Sequence, residues 1–117
     1  MANQSAEATL DIAYRQVVRG AAGEDYLRRM TETCLSAVEA LGRRDAPAMA
    51  SDADLVRELH RLAGGTAAVG LAALATSLRA LEHSYQGRSR PDELESLWQS
   101  CRAKAQDCRT ALSSEGS

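Results

Sequence analysis

An all-α fold is what this 117-residue sequence predicts, and three observations carry that reading. Apolar residues recur at alternating steps of three and four over five segments. No stretch alternates with period two for long enough to make a strand. Glycine, proline and small polar residues stand between the segments, where helices start and stop. Helices with one apolar stripe each bury those stripes against one another, so an up-down four-helix bundle with a short additional N-terminal helix is expected. The length fits one domain over residues 1–117, with an ordered core expected over about residues 6–112.

Leu10, Tyr14 and Val17 mark the short first helix, which ends near Gly20 to Gly23. Leu27, Met30, Cys34, Val38 and Leu41 form the stripe of the second, stopped by Gly42. A loop from Arg43 to Ala50 contains Pro47 and leads to Ser51, a candidate N-cap, with Asp52 and Asp54 set against the dipole of the third helix. Leu55, Leu59, Leu62, Thr66 and Val69 are the third stripe, and Leu71, Leu74, Leu78, Leu81 and Tyr85 the fourth, closed by Gly87. Gly42 and Gly87 stand where left-handed C-terminal residues are wanted. Pro91 suits the first turn of the last helix, whose stripe is Leu94, Trp98, Cys101, Ala105, Cys108 and Leu112, with Trp98 read as core. Ser113 to Ser117 reads as a frayed tail.

Composition excludes several function classes. With 44% hydrophobic residues the chain is not disordered, and 14 basic against 16 acidic residues leave a net charge of -2. So weak a bias gives no electrostatic case for nucleic acid or for direct membrane contact. No apolar run approaches the roughly 20 residues of a membrane span, and the N-terminus has no signal-peptide pattern. Cys34, Cys101 and Cys108 are an odd number in a small chain, which argues for reduced core thiols and a cytoplasmic protein. Two histidines and three scattered cysteines give no metal-ligand spacing, and no glycine-rich phosphate loop is present. No metal, cofactor, nucleotide site or autokinase activity is therefore expected.

Chemistry concentrates in Leu59-His60-Arg61-Leu62-Ala63-Gly64-Gly65-Thr66-Ala67-Ala68-Val69-Gly70. At roughly 100° per residue, His60 points about 140° away from the apolar line of its helix. Val56, Ala63, Gly64 and Ala67 lie along its own face, a set of small residues that leaves an imidazole open to a large partner. Each glycine inside a helix costs about 1 kcal/mol relative to Ala. Gly64, one turn after His60, removes the side chain that would shield the ring. The plainer account has the glycine pair ending or bending the helix beside an ordinary surface histidine.

The pattern His60-x-Leu62-x-Gly64, then Val69-Gly70, then a leucine-rich helix carrying Leu81-Glu82, resembles the signature of histidine-containing phosphotransfer (HPt) domains. The motif covers about 23 residues, and the helix order matches the family's small bundle. That resemblance implies a relay carrier without catalytic activity of its own, which accepts a phosphoryl group from a receiver-domain aspartate on His60 and passes it to another receiver. The partners implied are receiver domains of response regulators or of a hybrid histidine kinase. Mg2+ would belong to the receiver and not to this chain. Glu82 would orient the ring and leave Nε2 reactive. The docking face would comprise Val56, Ala63, Gly64 and Ala67, with Arg57 and Arg61 steering an acidic surface. The family usually carries Lys three residues after the histidine, and Ala63 stands there; Arg79 is the candidate substitute cation. A monomer is expected, either free-standing or as a module of a hybrid sensor kinase. The alternatives are a bundle of this family that binds proteins without carrying phosphate, which Ala63 would favour, and a structural helical dimer.

Overall fold

The computed structural model describes residues 9–43, 52–87 and 91–115. These residues form five helices: α1 (Ile12–Ala22), α2 (Glu24–Arg43), α3 (Asp52–Ala68), α4 (Ala72–Gln86) and α5 (Pro91–Glu115). Helix α3 packs on α2 and α4, and α5 packs on α4 and α2, so α2 to α5 close a ring around one core. Helix α1 packs on α2, outside that ring. This is the four-helix bundle with an added N-terminal helix that the apolar spacing predicts.

For α3, α4 and α5 the stripes and the core coincide. Leu55, Leu59, Leu62, Thr66 and Val69 are all buried, as are Leu71, Leu74, Leu78, Leu81 and Tyr85. Trp98, Cys101, Ala105 and Cys108 complete the core from α5, with Leu94 and Leu112 packed at its edge. Trp98 is a core residue, and its indole N–H donates to the Tyr85 hydroxyl at 2.8 Å, so the one polar atom it buries is matched. All three cysteines are free and buried.

Helix α2 carries its stripe in a slightly different register. Met30 is partly exposed, and Thr31 and Leu35 take buried positions instead. Gly42 does not stop this helix, which continues to Arg43. Neither Gly42 nor Gly87 is left-handed; the glycines with positive φ are Gly23 (99°) and Gly70 (77°). Helix α5 runs on through Ser113 to Glu115, so the tail expected from Ser113 is helical at its start. Pro91 opens that helix, as its preset φ favours. The loop with Pro47 and the cap at Ser51 lie outside the described residues.

The first helix departs most from its sequence pattern. Tyr14 and Val17 are exposed, and the residues it buries are Arg15 within the helix and Leu10 just before it. The reason is position: a helix outside the ring touches the bundle along a narrow line, and here that line is polar. The Arg15 guanidinium donates from Nη1 to Thr31 Oγ1 at 3.0 Å and to the Val69 carbonyl at 2.7 Å. A buried charge held by a hydroxyl and a backbone carbonyl joins α1, α2 and the end of α3 at one point.

That point also explains Gly70. Gly70 N–H donates to the Ala67 carbonyl and Leu71 N–H to the Thr66 carbonyl, which closes α3 with a Schellman turn around a left-handed residue. A Cβ at Gly70 would stand 2.5 Å from Arg15 Cγ and 3.2 Å from the Asp11 carbonyl oxygen. The Gly70 carbonyl in turn accepts from Asp11 N–H at 2.9 Å. Only glycine meets both the dihedral and the space at this junction.

Candidate functional site

His60 stands two turns from the start of α3, on the side away from the core line, with its side chain 80% exposed. Helix α3 runs unbroken through Gly64 and Gly65 to Ala68, so the glycine pair neither ends nor bends it. Gly64 is exposed, and a Cβ built there would meet nothing within 4 Å. No fold requirement explains a glycine at that position, since its φ is ordinary and the space is free. Gly65 differs: a Cβ there would meet Cys34 Sγ at 3.3 Å, so the close approach of α3 to α2 accounts for it.

Glu82 comes from α4, which the tight turn after Val69 folds back along α3. Its Oε2 lies 3.0 Å from His60 Nδ1, and its side chain is only 14% exposed. The carboxylate is thus seated between helices while the ring it holds faces water. A carboxylate can only accept, so it selects the tautomer with the proton on Nδ1 and leaves the Nε2 lone pair free. Nε2 makes no hydrogen bond among the described residues.

The remaining residues of the expected face fall into place unevenly. Val56 and Ala67 are half-buried on the same side of α3 as the ring. Ala63 is not on the open face: it is 2% exposed and belongs to the core. Of the small residues around His60 it lies nearest the apolar line, at roughly 80°, and α2 and α4 flank α3 closely enough to cover that flank. The position where the resemblance leads one to look for a lysine is therefore closed over by packing.

Three cations were candidates for meeting a partner, and two are committed locally. Arg57 pairs with Asp54 and Arg61 with Glu58, each within one turn of α3. The latter pairing raises the Arg61 pKa, through its hydrogen bonds to Glu58 first and its charge second. Arg79 is exposed one turn before Glu82 and has no ion pair among the described residues. Sequence reading missed one residue here. Tyr14, which the apolar spacing places in the core, instead lines an open cleft of about 260 Å3 with Asp11, Ala67, Gly70, Thr76 and Arg79. Nothing in the local spacing could have shown this, because it depends on how Arg15 seats α1.

The family model of the Hpt domain matches residues 24–114. The chain belongs to the Hpt domain family. An Hpt domain is a helical bundle that carries phosphoryl groups in two-component phosphorelays rather than catalysing their formation. Hpt domains interact with receiver domains of response regulators. No curated protein and no solved structure gives a significant match to the chain. The Hpt match begins at Glu24, so α1 lies outside it. Among the described residues no helix is long and apolar enough to cross a membrane, and no group of three His, Cys, Asp or Glu side chains could hold a metal ion.

Proposed function

We propose that His60 is the phosphoryl carrier, taking the group from an aspartyl phosphate of one receiver domain and handing it to the aspartate of another. The observation that carries this reading is the pairing of an exposed imidazole with a seated carboxylate at its Nδ1. In the forward step the Nε2 lone pair attacks phosphorus, the N–P bond forms, and the P–O bond to the receiver aspartate breaks. The aspartate leaves as carboxylate with that electron pair. The ring, phosphorylated on Nε2 and still protonated on Nδ1, carries a positive charge that Glu82 faces directly. Transfer to the second receiver reverses these bond changes.

The chain contributes a correctly oriented nucleophile, and little else is needed of it. Charge on the transferring phosphoryl group is met by the receiver, which supplies Mg2+ in this scheme. Arg79, exposed one turn before Glu82 and without an ion pair among the described residues, is the cation of this chain best placed to meet an acidic group on the receiver surface, away from the transferring phosphoryl group. Val56, Gly64 and Ala67 form the small-residue floor on which the receiver lands, and Arg57 and Arg61 at its edge contribute to encounter more than to affinity. The complex is short-lived, since a relay releases its partner after each hop.

Incubating the chain with a phosphorylated receiver should give acid-labile, base-stable label that disappears in His60→Gln. A bundle that only binds receivers would instead show binding, no label, and indifference to His60→Gln.

A further inference from the structure

The open cleft beside the His60 face has a composition unlike that face. It is lined by Tyr14 from α1, by Arg79 from α4 and by the small residues Ala67, Gly70 and Ala75. Tyr14 is 41% exposed, a large aromatic left partly in water on a helix that could have presented a polar residue there. Of the two charges at the cleft, Asp11 is occupied: its side chain caps α1 by accepting from Tyr14 N–H at 3.0 Å. Arg79 is not paired among the described residues. The cleft therefore offers an aromatic side chain, several small residues and one positive charge unpaired among the described residues.

Its place relative to His60 is fixed. Ala67 lies seven residues beyond His60 on the same helix, about 10.5 Å along its axis. Even a small transient interface, burying roughly 600 Å2 per partner, covers a disc of about 14 Å radius. A receiver centred on the imidazole covers the cleft as well. The start of α1, which carries Tyr14, is anchored beside that contact, because Arg15, Asp11 and Gly70 join α1 to the turn ending the His60 helix.

We infer that this cleft is a second contact that selects among receivers: it takes an apolar side chain of the receiver against Tyr14, with a neighbouring receiver carboxylate paired to Arg79. The inference rests on the phosphorelay reading of His60. It assigns partner choice to α1, an element outside the region matched to the family, while the His60 face carries the chemistry common to every partner.

Transfer rates from a panel of phosphorylated receivers to the full chain, its Tyr14→Ala and Tyr14→Phe variants and its Arg79→Gln variant decide the matter. Phosphoramidate, a small donor that needs no docking, serves as control. Tyr14→Ala should slow transfer from the best receiver about tenfold while poor receivers change less than about threefold, so that discrimination falls. Tyr14→Phe should restore the wild-type order, because the ring and not the hydroxyl makes the contact. Arg79→Gln should raise KM for the best receiver and leave kcat unchanged. Labelling by phosphoramidate should be equal in all four proteins. Uniform slowing across the panel, no slowing, or a fall in kcat alone for Arg79→Gln would overturn the inference while leaving His60 as carrier. Failure of every receiver to label the wild-type chain that phosphoramidate does label would defeat the phosphorelay reading itself, and the cleft with it.

Discussion

Glu82 Oε2 and His60 Nδ1 meet at 3.0 Å across neighbouring helices, with the carboxylate side chain 14% exposed and the imidazole 80% exposed. Seating the acceptor and exposing the ring fixes a tautomer without shielding the nitrogen opposite. The contact adds little to stability, because a hydrogen bond with one partner in water contributes on the order of 1 kcal/mol or less. Its effect should fall on the rate.

Glu82→Ala should therefore slow phosphoryl uptake by His60 about 10- to 100-fold, the loss of one charge-assisted hydrogen bond that orients the nucleophile. Glu82→Gln, whose amide oxygen still accepts from Nδ1–H, should stay within about tenfold of wild type. Thermal unfolding of both variants, measured beside the transfer rates, should be close to wild type. A large drop in melting temperature with rates intact would assign Glu82 to the fold instead.

Gly64→Ala should act in the opposite sense on stability and function. With nothing within 4 Å of the added Cβ, the variant exchanges a poor helix former for the best one. The expected gain is about 1 kcal/mol, read from urea unfolding. Receiver-dependent transfer should nonetheless fall, and Gly64→Leu should reduce it further while phosphoramidate labelling of His60 persists.

At Gly70 the cost is structural. A φ of 77° and a Cβ 2.5 Å from Arg15 Cγ make Gly70→Ala strained in both dihedral and space. A loss of about 2 kcal/mol or more is expected, part from the left-handed backbone and part from displacing Arg15. Arg15→Met should destabilise comparably, since it leaves the Val69 carbonyl and the Thr31 hydroxyl without their buried donor. Denaturant midpoints of the two variants and of the double variant test whether they share one junction. A double variant no worse than either single one is the expected result.

Acid should weaken the α2–α5 seam. The Arg109 guanidinium bonds Glu32 and Glu39 together, and its hydrogen bonds to Glu32, with that from Ser36, hold the Glu32 pKa at about 2, below the ordinary 4.5. A carboxylate with a lowered folded-state pKa stabilises above its unfolded pKa and loses that contribution as pH falls through the folded value. The loss attributable to Glu32 should fall between pH 4.5 and about 2. Urea midpoints across that window should drop less steeply for Glu32→Gln than for wild type. The difference should be small, because the Glu32 side chain is 58% exposed.

Spacing alone located the cores of α3, α4 and α5, because a helix flanked on both sides buries the arc that its apolar residues define. It misplaced Tyr14 and Val17 because α1 has a neighbour on one side only, and the contact line there runs through Arg15. No periodicity marks an arginine for burial when its partners, Thr31 and the Val69 carbonyl, are 16 and 54 residues away. Ala63 was misjudged by a few tens of degrees: it lies just inside the buried arc, whereas Val56 and Ala67 lie at its edge. Gly42 and Gly87 sit at helix ends as glycines commonly do, yet the left-handed turn that matters is at Gly70, where a tertiary approach demands it. The pairing of His60 with Glu82 was legible because the family motif spans both helices and the turn between them is short.

The most direct test of His60 as carrier is to locate the phosphoryl group after labelling by a receiver, using 31P- and 15N-detected NMR of the histidine-labelled chain. The structure's hydrogen bond at Nδ1 requires phosphorus coupled to Nε2 of His60, with the Nδ1 proton retained. Phosphorus on Nδ1, on His83 or on any other residue would contradict it.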